Sequence, residues 1–403
     1  MMRVLVVHRY YWPDTVPCAG IMRWVAKQLA TDGHDVDVLT SQPSYRESSS
    51  QNCRPRVEQL DAVSVTRLSL PTEIGRPIWR IMNALHLGLQ IFLRSIFKKY
   101  DVIIVATIPP VLGGFFSALA SRITHARFIY YCMDLHPEIG RSSGDFTNPV
   151  LFRTLQVLDD WTCRQARPVL VHSEDMRNTL RQRPRGNEYR IEVMNNFDLP
   201  SERVCIQKTG WQWDKKNIRL RLIYAGNMGR FQGLETLLNA MGRISHRKDI
   251  ELVMMGEGVA KPELVARQNK TNANVRFFDY QPLEVAKVAI QNADIGVVAL
   301  IPGMYRYAYP SKTMAYLAQG RPILAAVETE SELAKTMLAE CYGFSVPIGD
   351  AEVLEELLVR LADDLSWKEH MNQSALAAFE KYFSAPVVLS KWSQLVGQAC
   401  RVS

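Results

Sequence analysis

Four stretches of the chain hold residues whose types and spacing could do chemistry. The sharpest is Tyr309-Pro310-Ser311-Lys312-Thr313, which runs into a helical pattern over Met314–Gln319 and then Gly320-Arg321-Pro322. Pro310 and Ser311 are natural helix-start residues, so capping alone would explain them. Lys312 falls in the first turn, where a cation opposes the helix dipole. A cation beside free N–H groups suits a diphosphate lying between them. Two glycine-bearing turns accompany it, each directly after an apolar run. Tyr224-Ala225-Gly226-Asn227-Met228-Gly229-Arg230-Phe231-Gln232-Gly233 precedes a helix over Leu234–Met241, and Met255-Gly256-Glu257-Gly258 closes the next run. Glycine lets a ligand approach the backbone, although each turn by itself is also an ordinary strand end. In the first half, Tyr131-Cys132-Met133-Asp134-Leu135-His136-Pro137-Glu138 follows another apolar run. Asp134, His136 and Glu138 form a candidate acid/base set, with loop solvation as the plain alternative.

Several other chemistries have no support. The chain lacks a GxGxxG followed by an acidic residue about 20 positions on, and it lacks GxxxxGK[ST], so dinucleotide and P-loop sites are disfavoured. A GxSxG elbow, an HExxH pair and a DxD in a metal-binding position are also missing, and no metal is expected. The seven cysteines, 18, 53, 132, 163, 205, 341 and 400, never form a CxxC pair. They read as free thiols in a reducing compartment.

The elements that must position these residues follow from hydrophobic patterning. Short Val- and Ile-rich runs recur at Val4–Val7, Val36–Leu39, Val102–Ala106, Phe128–Tyr131 and Val169–Val171. A second series covers Leu220–Ala225, Ile250–Met255, Val275–Phe278, Ile295–Leu300 and Ile323–Ala326. Such runs between helical patterns indicate parallel strands covered on both faces, so two doubly wound α/β domains are expected. Their predicted bounds are 1–200 and 217–380, joined by a polar linker over 201–216. An amphipathic segment at 387–401 is free to pack back on the first domain.

The net charge is +7, and residues 1–200 hold 24 Lys and Arg against 19 Asp and Glu. With no basic block interleaved with aromatics, nucleic acid is not an expected partner. An anionic membrane surface or a phosphate-bearing ligand fits better. Residues 76–99 form one unusual helix with five basic and no acidic residues. Its polar positions Arg80, Asn83, His86, Gln90, Arg94 and Lys98 share a narrow stripe, and the rest of the circumference is apolar. This predicts an interfacial helix on an anionic leaflet, against the alternative of a helix wedged into the core. Neither a spanning helix nor a signal peptide is expected, because the Val4–Val7 run stops at His8-Arg9.

The order of segments resembles family 4 glycosyltransferases over essentially the whole chain. The resemblance rests on Tyr11-Trp12-Pro13, Gly20 and the stretch Leu29-Ala30-Thr31-Asp32-Gly33-His34-Asp35-Val36-Asp37-Val38-Leu39-Thr40. Ala106-Thr107-Ile108-Pro109-Pro110, Asp134–Glu138, His172-Ser173-Glu174 and Asn195-Asn196-Phe197-Asp198 follow in family order. The second half adds Tyr224–Gly233, Gly256-Glu257-Gly258, Asn292-Ala293-Asp294 and Gly320-Arg321-Pro322. The run Thr40-Ser41-Gln42-Pro43-Ser44-Tyr45 and Pro310-Ser311-Lys312 are similar to the fucosaminyl and colanic-acid branch of bacterial surface-polysaccharide enzymes.

The resemblance implies a GT-B architecture, two Rossmann-like domains facing an inter-domain cleft. It implies a metal-independent, retaining hexosyltransferase using a UDP- or GDP-sugar and no cofactor. The acceptor would be a lipid-linked, polyprenyl-diphosphate saccharide at the cytoplasmic face of the plasma membrane. Donor contacts would fall on Gly226, Asn227, Arg230, Gly256, Glu257, Gly258, Pro310, Ser311 and Lys312, acceptor contacts on Trp12 and Gly20, and catalytic roles on Asp134 and His136. The chain departs from the family where a Glu-x7-Glu pair is usual, holding Tyr307 and Ala315 there. The usual basic pair falls on Asn227 and Gln232, with Arg230 and Lys312 as replacement cations. A sugar-nucleotide 2-epimerase and a non-catalytic nucleotide-sugar-binding partner are the rival expectations.

Overall fold

The computed structural model describes residues 1–403 except 45–52, 72, 74–75, 143, 145, 201–216 and 399–403. The expected linker over 201–216 therefore lies outside the described residues, as do Tyr45, Cys205 and Cys400. The chain forms two compact units. One comprises Met1–Leu199, Tyr307–Tyr309 and Ala385–Ser403, and the other Pro200–Arg306 and Pro310–Ser384.

In the first unit the chain runs through β1 (Arg3–Val7), α1 (Pro17–Thr31), β2 (Asp35–Ser41), β3 (Val57–Leu60), β4 (Val63–Leu68) and α2 (Pro77–Lys98). It continues through β5 (Val102–Ala106), α3 (Leu112–Thr124), β6 (Arg127–Cys132), α4 (Glu138–Ser142), α5 (Pro149–Gln165), β7 (Val169–Val171), α6 (Glu174–Arg181) and β8 (Ile191–Val193). The sheet order is β3-β4-β2-β1-β5-β6-β7-β8, and only the β3–β4 pair is antiparallel. Strand β1 is central, with Val4 paired to Val36 on one side and Val102 on the other. Strand order reverses there, the place where open α/β sheets leave a crevice at the strands' carboxyl ends.

The second unit holds β9 (Leu220–Ala225), α7 (Glu235–Arg243), β10 (Ile250–Met255), α8 (Lys261–Gln268), β11 (Val275–Phe278), α9 (Leu283–Gln291) and β12 (Ile295–Ala299). Then come α10 (Lys312–Ala318), β13 (Ile323–Ala326), α11 (Glu332–Ala339), β14 (Gly343–Val346), α12 (Ala351–Asp363) and α13 (Trp367–Tyr382). All six strands are parallel, ordered β11-β10-β9-β12-β13-β14, with the reversal between β9 and β12. The last helix, α14 (Ala385–Gly397), belongs to the first unit's core. Its Trp392 is fully buried and meets the Tyr131 ring edge-on, with centroids 5.2 Å apart.

All ten expected apolar runs are strands. Four further strands, β3, β4, β8 and β14, carry no such run, for two reasons. Strands β3, β8 and β14 are sheet edges, where one side needs no apolar cover. Strand β4 is interior but alternates Val63-Ser64-Val65-Thr66-Arg67-Leu68, and its buried Arg67 pairs with Glu58 across the hairpin at 2.6 Å.

Helix α2 corrects the expected polar stripe. Asn83 is buried and donates to the Pro71 carbonyl and to Glu73, each at 2.8 Å. Arg94 donates to Thr66 and Tyr100, and Lys98 Nζ lies 2.8 Å from Asp37 Oδ2. Burial alone would raise the Asp37 carboxyl, but Lys98, Tyr100 and Arg94 outweigh it and hold it below its usual value. Three of the six stripe residues therefore face the protein. What α2 turns outward is mainly apolar: Ile78, Ile81, Met82, Leu85, Leu89, Leu93 and Phe97 are exposed, with Arg80 and His86 beside them. Inward, Gly88 has no side chain because Phe116 of α3 packs onto its Cα.

Candidate active site

In the second unit the two glycine turns and Lys312 form one structure. Gly226 follows β9 at φ +142° and Gly256 follows β10 at φ +142°. A Cβ at Gly256 would lie 2.0 Å from the Gly226 carbonyl oxygen, and one at Gly258 2.2 Å from that of Met228. Only glycine permits so close an approach of backbones. Hydrogen bonds lock the two turns together: Gly226 N–H to the Met255 carbonyl at 2.9 Å, and Met228 N–H to the Glu257 carbonyl at 2.8 Å. Glu257 acts here through its main chain, since its carboxylate is exposed and pairs with Lys261 at 2.9 Å.

Helix α10 brings Lys312 to this turn. Tyr316, one helical turn on, shares the face of Lys312 and is fully buried. Its ring fills the space over Gly296 of β12, and its hydroxyl accepts the Ala225 N–H at 2.9 Å. Lys312 is thereby laid over Gly226, where a Cβ would come within 2.6 Å of its Cε. Its Nζ stands 4.7 Å from the centre of the Tyr224 ring. Burial lowers the Lys312 ammonium to about 8, and among the described residues no carboxylate pairs with it. Its neighbour Thr313 is also fully buried, with Oγ1 unpartnered among the described residues.

The remaining donor-side candidates are more loosely placed. Asn227 is exposed, and its carbonyl accepts the Tyr224 hydroxyl at 2.5 Å. Arg230 is exposed on the turn, without a hydrogen-bond or ion-pair partner among the described residues. Ser311 is the N-cap of α10 but makes no side-chain cap bond. Pro310 opens the return of the chain into the second unit. Tyr307, at one usual glutamate position, belongs to the first unit, where its carbonyl accepts the Leu135 N–H at 2.8 Å.

In the first unit Asp134 follows β6 and bridges to Ala308. It is half-buried, and desolvation pushes its carboxyl up to about 6. Burial, with a smaller contribution from the Asp134 charge, drives the Cys18 thiol up to about 12. His136 is half-buried, and its carbonyl accepts from Arg183 at 2.9 Å. Glu138 leaves the expected acid/base set, because both its oxygens are taken by Arg183, at 2.7 and 3.0 Å.

The acceptor-side expectations are reshaped. Guanidinium groups of Arg23 and Arg54 lie over the Trp12 ring at 4.7 and 4.8 Å, so its faces are already engaged. Gly20 lies inside the first turn of α1. Pro17 takes the first position of α1, three residues earlier, and Leu199 fills the space beside the Gly20 Cα. Sequence reasoning gave Tyr224 no role of its own and missed Tyr316 and Arg183. Only the spacing of Tyr316 four residues after Lys312 offered a signal.

Comparison with known proteins decides what this arrangement belongs to. Residues 19–196 match the glycosyl transferase 4-like domain, and residues 219–364 match glycosyl transferases group 1. The chain is a glycosyltransferase. Its relatives include the glycosyltransferase WbjE of Pseudomonas aeruginosa, 22% identical over 332 residues, 80% of each chain. WcaI of Escherichia coli K12, named for colanic acid biosynthesis, is 22% identical over 386 residues, 92% of this chain and 93% of its own. Among solved structures, HepE from Anabaena in complex with UDP-glucose superposes with a TM-score of 0.71 at 13% identity, covering 99% of this chain and 100% of its own. The glycosyltransferase therefore has the GT-B fold, with two Rossmann-like α/β units. Among its described residues no group of three or more His, Cys, Asp or Glu could hold a metal ion, and no helix is long and apolar enough to cross a membrane.

Proposed function

We propose that this glycosyltransferase moves a hexosyl unit, with retention, from a UDP- or GDP-sugar onto a lipid-linked saccharide in bacterial surface-polysaccharide synthesis. The observation that carries the reading is Lys312, a desolvated cation laid over Gly226 with no carboxylate partner among the described residues. A diphosphate supplies the missing counter-charge. The leaving diphosphate would be stabilised by Lys312 and the preorganised N–H groups at the start of α10. Attack from the donor's own face lets that leaving group help deprotonate the acceptor, and Asp134 would orient the acceptor hydroxyl. Relatives support the substrate class: HepE is described in complex with UDP-glucose, and WcaI is named for colanic acid biosynthesis.

Incubating the enzyme with radiolabelled UDP- and GDP-hexoses and bacterial membranes tests this. Label in the lipid fraction supports transfer, whereas epimerised free donor or binding without turnover would replace the reading by one of its rivals.

The outward face of α2 supports peripheral attachment to a membrane. Phe97, Ile78 and Ile81 are 80, 73 and 59% exposed, and the exposed cations Arg76, Arg80 and Lys99 flank them. Arg94 and Lys98 are engaged with Asp37, so apolar insertion contributes more than charge. Replacing Ile78, Ile81, Leu85 and Leu89 together by Ser should abolish flotation with phosphatidylglycerol vesicles. Unchanged flotation would remove α2 from the membrane contact.

A further inference from the structure

Arg183, just beyond α6, has every arm of its side chain bonded within the first unit. Its guanidinium has five N–H groups, and the structure gives five contacts to it. Nε and Nη2 grip the two oxygens of Glu138 at 3.0 and 2.7 Å, and Nη2 also donates to the His136 carbonyl at 2.9 Å. Nη1 reaches Asp159 at 2.7 Å and Asp160 at 3.2 Å, both on α5. The side chain is 4% exposed. Burial would lower its ionisation, but Asp159 and Glu138 outweigh that and hold it charged. Tyr130 and Tyr189 complete the cluster by donating to Asp159 and Asp160, at 2.9 and 2.8 Å.

A buried cation needs a counter-charge, and Asp159 with Glu138 already provides it. The bond to the His136 main chain is not required for neutrality. It acts on geometry, because it fixes the backbone two residues after Asp134. On the other side, the Leu135 N–H is held by the Tyr307 carbonyl at 2.8 Å and Cys132 by its pairing to Val171 in the sheet. The loop between β6 and α4 is thus clamped at both ends, and one planar fork makes one of the clamps.

We propose that Arg183 is a positioning residue that sets the loop bearing Asp134 and His136, by binding the His136 carbonyl and the Glu138 carboxylate at once. Only a guanidinium can do this, since an ammonium is a point charge without the two-pronged plane. The proposal rests on the reading of Asp134 as an acceptor-side group, but its test does not depend on turnover.

The test uses the full chain carrying Arg183→Lys, which keeps the charge beside Asp159 and loses the fork. Two local readouts are followed: the Asp134 carboxyl titration by carbon-13 NMR, and hydrogen exchange of the Leu135 amide. Among the described residues, the thiols of Cys18 on α1 and Cys132 at the end of β6 sense the Asp134 charge, and both are held up by burial. In Arg183→Lys, water should reach the loosened loop. The Asp134 midpoint should then fall by about one pH unit from its raised value, and Leu135 exchange should quicken about tenfold. Glu138→Gln, which keeps shape and one acceptor, should move both in the same direction by less.

A purely structural Arg183 would lower the unfolding temperature while leaving both local readouts at wild-type values in the folded variant. That result overturns the proposal. If Arg183→Lys does not fold, unchanged readouts in Glu138→Gln overturn it instead. Failure of the underlying reading looks different: Asp134→Asn would retain full transfer activity whatever the loop readouts show.

Discussion

The two units each draw a cation out of water, Arg183 almost fully and Lys312 in part, and they do so in opposite ways. Arg183 in the first unit meets three carboxylates and a main-chain carbonyl. Lys312 in the second meets the face of Tyr224 and a glycine, with no carboxylate among the described residues. Desolvating an ion is costly unless partners replace water. Arg183 therefore has its compensation within the fold, while Lys312 waits for it from outside. The contrast separates a residue that organises a site from one that receives a ligand.

The largest expected effect tests what Arg183 organises. Asp134→Asn is nearly isosteric, so the fold should persist while transfer of label from donor to lipid falls roughly 10²–10⁴-fold. Turnover near wild type would reduce the clamped loop to scaffolding. Next is Arg183→Ala, which strands Asp159 and Glu138 in the interior. Urea unfolding should show a loss of about 3–5 kcal/mol, the usual consequence of breaking a buried pair.

Lys312→Met should behave in the opposite sense. Calorimetry with UDP should show binding weaker by about 1.5–3 kcal/mol, because one charge-assisted contact is gone. Stability at pH 7 should match or exceed wild type, since an uncompensated, half-buried charge has been removed. A destabilised Lys312→Met variant would mean that the lysine has an internal partner after all, and the contrast with Arg183 would fail.

The smallest effect is a pH dependence. Burial lowers Lys312 to about 8, against 10.5 in an unfolded chain. Between these values the unfolded state holds more protons, so this group's contribution to stability rises with pH across that window. Below it, the contribution stays at its least favourable. The stability difference between Lys312→Met and wild type should accordingly shrink as pH climbs from 8 towards 10.5. UDP affinity should decline over the same range, as the free enzyme loses its ammonium. A flat affinity profile would place the diphosphate elsewhere.

Much of the scaffold was legible in residue order, because its signals are local. A run such as Ile250–Met255 declares a doubly covered strand through its immediate neighbours, and all six of its residues are buried. Gly226 and Gly256 at strand ends, and Lys312 after Pro310-Ser311, were visible for the same reason. Helix α2 shows the limit. Its excess of apolar arc followed from spacing, but Asn83, Arg94 and Lys98 turned inward because Glu73, Asp37 and Tyr100 stand beside them in three dimensions. Gly20 likewise faces Leu199, far away along the chain.

What the sequence by itself determined is therefore the alternating strands and helices of two α/β units and the short list of residues able to touch a diphosphate or a hydroxyl. What only the tertiary structure decided is which charges are matched. Glu138 looked as reactive as Asp134 until Arg183, 45 positions away, took both its oxygens. Lys312 stood out in the sequence, but that it lies over Gly226, 86 positions earlier, showed only in three dimensions. Periodicity is carried by neighbours along the chain, whereas the state of a buried charge is set by every group within a few ångströms, and folding alone brings those together.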